Sequence, residues 1–218
     1  MATLAELRTR LQRTMGLYGA VPEGDIEGHY LDCLNDALRS IGRKQKWYWW
    51  IAEDTTTLAS LSAGTTTSNL PSGCRHIICV KDPDGYIVES KTVERQTFYP
   101  NKIGASSSKQ TYAMGGIDSS TRVKTIIWEP ALLSAGDYVL WYYRMPSDLS
   151  VDADVPDLPD EFHDYLYWRA LMMVLHNDEE RQHLYTEAEE NANDILEDMK
   201  QDNARIIETL SRRIFATP

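Results

Sequence analysis

Cys74, His76 and Cys79 lie close together in the chain and are of types that bind zinc. A structural zinc site takes four ligands, usually from two short cysteine pairs. No second pair follows, and regular strand alternation puts Cys74 and His76 on one face with Cys79 on the other. No metal or other cofactor is expected. Glu180 and His183 have the Glu-x-x-His spacing of di-metal carboxylate bundles. Such sites need a second copy of the motif and two further glutamates, and the second copy is absent. Acidic pairs such as Asp160-Glu161 and Glu179-Glu180 resemble hydrolytic carboxylates in type. They fall at helix N-termini, where the dipole alone favours them. His163 beside Asp164 has no nucleophile elbow to serve, because the chain lacks Gly-x-Ser-x-Gly. It also lacks both phosphate-cradling glycine motifs, and Gly115-Gly116 reads as a turn. No convergent constellation results, so a non-enzymatic role is expected.

The remaining chemistry is aromatic. The chain has six Trp and twelve Tyr against three Phe, the balance found where one end of a ring is buried and the other wet. Trp47, Tyr48, Trp49 and Trp50 stand in a row. On a strand they would divide between two faces, covered within the subunit or packed on a neighbour. Trp47, Trp49, Trp50, Trp141 and Tyr143 are therefore candidate core or inter-subunit aromatics.

The elements that must position these groups read as helix, sheet, helix. Leu4, Leu7, Leu11 and Met15 recur at helical steps, with Thr3 and Glu6 as a capping box and Gly16 as the stop. Leu17–Gly24 reads as a loop. A second helix follows from Asp25 to about Lys46 through Ile26, Tyr30, Leu34, Leu38 and Ile41. From Trp47 the period changes. Strands are expected over Ile51–Leu61, His76–Val80, Tyr86–Glu89, Thr111–Met114, Lys124–Trp128 and Tyr138–Tyr143. Asp82-Pro83-Asp84-Gly85, the serine run Gly104–Lys109 and Ala135-Gly136-Asp137 serve as turns. Arg144–Pro159, rich in Asp and Pro, reads as an extended crossover. Asp157 can cap a third helix from Pro159 to about His176, apolar almost all round and hence buried on more than one side. A fourth starts near Glu179. Its stripe is Tyr185, Ala188, Ala192, Ile195, Leu196 and Met199. Its opposite face is acidic: Glu187, Glu190, Asp194, Glu197, Asp198. Asp202-Asn203 reads as an interruption. The end, Ser211–Pro218, is basic and apolar.

The fold class expected is α+β: a helical bundle of 1–46 and 157–205, an inserted antiparallel β domain with crossover over 47–156, and a C-terminal docking arm over 206–218. Cys33, Cys74 and Cys79 are too scattered for a disulfide framework and are expected reduced and buried. No apolar run reaches the roughly 18–20 residues that span a bilayer, and no signal-peptide pattern opens the chain. Synthesis in the cytoplasm is expected. The formal charge of −11 disfavours nucleic-acid recognition, yet an acidic wall leaves a duplex free to slide past.

Three segments carry a family resemblance. Tyr142-Tyr143-Arg144-Met145-Pro146-Ser147-Asp148-Leu149 and Leu158-Pro159-Asp160-Glu161-Phe162-His163-Asp164-Tyr165-Leu166 resemble the closing block of head-to-tail connector proteins of short-tailed (podovirus-type) bacteriophages. These are the portal-to-tail adaptors, or tail accessory and tail tubular A-like proteins. Leu34-Asn35-Asp36-Ala37 resembles their second-helix motif. The resemblance implies a virion protein at the head-tail junction. It would be a homo-oligomeric ring, a dodecamer by analogy, that meets the portal, the tail nozzle or tube, and tail fibres or tailspikes. It would seal the packaged head and let double-stranded DNA pass at ejection without sequence recognition, with no membrane partner. The implied portal-docking arm falls on Arg212, Arg213, Ile214 and Phe215. The readings left open are a virion-associated peptidoglycan hydrolase and another tail completion or nozzle component.

Overall fold

A computed structural model describes residues 2–16, 24–91, 110–118 and 122–215. The chain forms two compact units, one from residues up to Trp49 together with Pro146–Thr209, the other from Trp50–Met145 together with the chain from Leu210. The class is α+β, with four α-helices and a seven-stranded, mostly antiparallel sheet among the described residues.

In the helical unit, α1 (Leu4–Thr14) opens with the Thr3–Glu6 capping box and buries Leu4, Leu7 and Leu11. Gly16, at φ +73°, takes the left-handed conformation that follows a helix end. The loop expected at Leu17–Gly24 lies outside the described residues, apart from Gly24. α2 (Gly24–Lys44) buries Tyr30, Cys33, Leu34, Ala37, Leu38 and Ile41 along one stripe. It starts at Gly24, so Asp25 lies inside the helix rather than ahead of it.

α3 (His163–Leu175) starts later than Pro159. The intervening Asp160–Phe162 forms a 3₁₀ turn, and Asp157 provides no N-cap to it. This helix buries His163, Tyr165, Leu166, Tyr167, Ala170, Leu171, Met172 and Leu175, and packs on α1 and α2. Burial of each large side chain is worth about 1.5–3 kcal/mol, so α3 is the core element of the unit. α4 (Gln182–Ile214) is one uninterrupted helix of 33 residues. The break expected at Asp202-Asn203 is absent.

The crossover is strapped down. Leu149 N–H donates to Asn35 Oδ1 at 2.8 Å, and Asn35 Nδ2 donates to Leu149 O at 3.0 Å. Arg39 grips Asp148 with two hydrogen bonds of 3.0 and 2.6 Å, and Arg8 pairs with Asp152. The crossover carbonyls of Asp154 and Asp152 accept from Leu4 N–H and Ala5 N–H at 2.8 and 3.2 Å. These serve donors that a helix start leaves without internal partners.

The β unit contains β1 (Ile51–Asp54), β2 (Thr67–Asn69), β3 (Cys74–Lys81), β4 (Ile87–Lys91), β5 (Thr111–Ile117), β6 (Lys124–Glu129) and β7 (Val139–Arg144), in the order β1-β7-β3-β4-β5-β6-β2. All neighbours are antiparallel except β4 and β5, which pair in parallel. One face holds the core of Leu58, Val80, Val88, Tyr112, Ile126, Trp128, Tyr138, Leu140 and Tyr142. β3 and β4 form the expected hairpin. Asp82 Oδ1 accepts from Asp84 N–H and Tyr86 N–H, and Gly85 supplies φ +87°.

Three local expectations are corrected. Ile51–Leu61 is a strand only to Asp54, whose carboxylate takes the amides of Thr56 and Thr57 at 2.7 and 3.0 Å and turns the chain. Thr67–Asn69, with no apolar residue to mark it, is a strand. Gly115 and Gly116 lie within β5. A Cβ on Gly115 would stand 2.4 Å from Thr125 Oγ1, so close strand approach explains the glycine. The Gly104–Lys109 run lies outside the described residues.

Asn35→Ala is expected to leave a buried N–H and C=O unpaired and to lower stability by about 2–4 kcal/mol in urea unfolding. Asp54 gives a pH signature. Burial pushes its carboxyl up, but hydrogen bonds from Thr57 and Thr56 outweigh that and hold it at about 2. A depressed folded value stabilises above the unfolded value near 4 and fades as pH falls through about 2. Asp54→Ala should therefore lower stability at neutral pH, with the deficit shrinking below about pH 4.

Candidate assembly surfaces

The aromatic run is not a strand. Tyr48–Trp50 forms a 3₁₀ turn a few residues after α2. Trp47 is fully buried and donates its indole N–H to Ile41 O at 2.9 Å. Trp49 stacks on Trp47 at 4.8 Å and leans on Phe162 at 5.8 Å. The Tyr48 hydroxyl donates to Asp202 Oδ2 at 3.0 Å, and burial, with Asp202 beside it, pushes its pKa up to about 12. Trp50 is buried in the β unit. Trp141 and Tyr143, on β7, are partly buried on the face opposite Leu140 and Tyr142.

Asn203 anchors this run. Its Oδ1 accepts from Tyr48 N–H at 2.7 Å and its Nδ2 donates to Lys46 O at 3.0 Å. The residue expected to break α4 is thus buried within it, 7% exposed. One sequence signal marks it: Ala188, Ala192, Leu196, Met199 and Asn203 form a buried stripe at helical steps, and Asn203 is its polar member.

At about 100° per residue, Glu187, Glu190, Asp194, Glu197 and Asp198 project opposite that stripe, and all are exposed. Further on, α4 carries Arg205 and Arg212, exposed, and ends at Ile214, buried; Phe215, just after it, is 48% exposed. The side chain of Arg213 and residues 216–218 lie outside the described residues.

The motif Leu158–His163 is structural in placement. His163 is buried. Its Nδ1 accepts from Ala2 N–H at 3.0 Å, which leaves Nε2 to donate to Leu158 O at 3.0 Å. His163 and Asp164 diverge, since Asp164 pairs with Arg10 at 2.5 Å and Arg10 lies over the Tyr167 ring.

The three cysteines are free and buried. Burial pushes the thiols of Cys33 and Cys74 up to about 11, and Cys79 up as well. Cys74 points into the sheet core while His76 is exposed, against the alternation expected. The register of β3 shifts between Cys74 and His76 and again between Ile77 and Cys79. Among the described residues no group of three or more His, Cys, Asp or Glu is placed to hold a metal ion. Glu180 and His183 are both exposed.

In the β unit, Tyr86 and Leu133 are 56% and 55% exposed at the rim of a shallow cleft of about 270 Å³ floored by Val88 and Tyr138. Among the described residues no helix is long and apolar enough to cross a membrane.

Residues 2–213 match the SU10 adaptor protein family. The chain belongs to that family. It is a bacteriophage adaptor with a structural role, as the resemblance carried by Leu158–Leu166 implied. No curated protein matches the chain.

Asn203→Ala should strip partners from Tyr48 N–H and Lys46 O. Hydrogen exchange is expected to accelerate at Tyr48 while the amides of α3 stay protected. Unchanged exchange at Tyr48 would refute the anchoring role.

Proposed function

We propose that this adaptor is a non-enzymatic ring subunit seated between portal and tail. In that position it closes the packaged head and carries the tail nozzle, fibres or tailspikes. The observation that carries this reading is the family match over nearly the whole chain, combined with α4. That helix is about 50 Å long at 1.5 Å per residue. It is apolar along one side and acidic along the other. Carboxylates set along a channel repel phosphate and leave a duplex free to slide, which suits DNA passage without recognition. The bundle of 1–46 and 157–205 would be the portal and channel part, and 47–156 the part that meets tail components. The chain from 206, with Arg212, Arg213, Ile214 and Phe215, would dock on the portal. The partly buried Trp49, Trp141 and Tyr143 suit subunit contacts, because a ring needs two different complementary faces per copy.

Imaging purified adaptor with portal rings by cryo-electron microscopy tests the proposal. A closed ring of adaptor beneath each portal is expected. An adaptor that ignores portal, or binds it as scattered single copies, would contradict it. Removal of Arg212–Pro218 should leave the circular-dichroism spectrum unchanged and weaken portal attachment. Equal attachment would reject the arm assignment.

A further inference from the structure

The sheet of the β unit opens along one seam. β3 and β4 share two pairs, Val80 with Val88 and Lys81 with Ile87. From Glu89 onward β4 pairs in parallel with β5 instead. Where β4 departs, a cleft of about 260 Å³ lies between the strands. Ile77, Tyr112 and Met114 line it on the core side, and Ile77 and Met114 are only partly buried there. Arg75 and His76 line it from β3, and Lys91 lines it from β4. Among the described residues no acid lines it, and the three strands around it carry a single acid, Glu89. On a chain of formal charge −11 the cleft is a local reversal of sign. Beside it, Lys124 Nζ donates to the carbonyls of Cys74 and Arg75 at 3.1 and 2.9 Å. An ammonium thus serves backbone acceptors at this edge of β3, and a lysine in that position guards a strand edge against indiscriminate pairing.

These features select a class of ligand. An extended peptide can add to strand backbone, with main-chain hydrogen bonds for affinity and alternate side chains for specificity. Its successive side chains point to opposite faces. One set meets the apolar side of the cleft at Ile77 and Met114. The other set, as carboxylates, meets a cation on each bank, Arg75 on β3 and Lys91 on β4. A nucleic acid would bring phosphates to the cations but leave Ile77 and Met114 without an apolar partner. We propose that this cleft takes an extended segment of a partner protein in which carboxylates alternate with apolar residues, laid along β3 and held by Arg75 and Lys91. Lys124 adds a third positive charge beside it. A partner among the tail components rests on the reading of 47–156 above, whereas the class of ligand rests on the cleft alone.

The test titrates the full chain with a capped peptide of alternating Glu and Val, about six residues long, read by calorimetry and by hydrogen exchange. Binding is expected, with slower amide exchange across Arg75–Ile78 and weaker affinity at high salt. Arg75→Glu with Lys91→Glu should weaken binding at least about tenfold. Arg75→Gln with Lys91→Gln removes the charges without reversing them and should weaken it by less. It serves in place of the first variant should that one lose its circular-dichroism spectrum. A peptide of alternating Lys and Val should not bind, and one of alternating Glu and Ser should bind markedly more weakly. The inference would be overturned by a Glu–Val peptide that does not bind, by a Lys–Val or Glu–Ser peptide that binds as well, or by duplex DNA that binds more tightly. Affinity unchanged in the folded double variants would overturn it too. None of these results bears on the ring reading, which imaging with portal decides.

Discussion

Backbone that lies in no helix or sheet must still find partners for its N–H and C=O groups once buried. In the helical unit two asparagines meet that demand. Asn35 on α2 presents a donor and an acceptor to both backbone groups of Leu149. Asn203 on α4 does the same across Tyr48 N–H and Lys46 O. An asparagine amide suits this task because it carries both functions in one plane without charge. Each clamp joins segments more than a hundred residues apart in sequence. The hydrophobic stripes of α1 to α4 supply the driving force, and the clamps decide where the connecting chain lies.

The charges follow a similar economy. Arg8, Arg10 and Arg39 pair with Asp152, Asp164 and Asp148, so these cations of the first helices are matched by acids of the second half. Exposed pairs of this kind add little stability each. Their effect is on register. Glu187, Glu190, Asp194 and Asp198 stay exposed along one arc of α4. An arc of one sign resists association with another acidic surface and favours a basic one.

The helices were legible because apolar residues repeating at steps of three and four over several turns line up only on a helix face. Leu4, Leu7 and Leu11, or Leu34, Leu38 and Ile41, are buried where their spacing implied. Strands with alternating apolar residues, such as Lys124–Glu129 and Val139–Arg144, were equally legible. Errors arose where a polar side chain overrode the local pattern through a distant or neighbouring backbone group. Asp54 ended a strand by capping a turn, Asn203 continued a helix that looked broken, and Tyr48–Trp50 coiled into a 3₁₀ turn, with Tyr48 N–H held by Asn203 and the neighbouring Trp47 indole by Ile41 O. The bulges of β3 reversed the facing of His76 for the same reason: periodicity shows average direction, and a register shift is set by the partner strand.

The direct measurement of the central claim is native-state hydrogen exchange at the amides of Leu149 and Tyr48, the two that donate to the asparagine clamps. Both should exchange as slowly as the buried amides of α2 and α4, although neither lies in an α-helix or a strand. Fast exchange at these two amides, with the helices on either side still protected, would contradict the account.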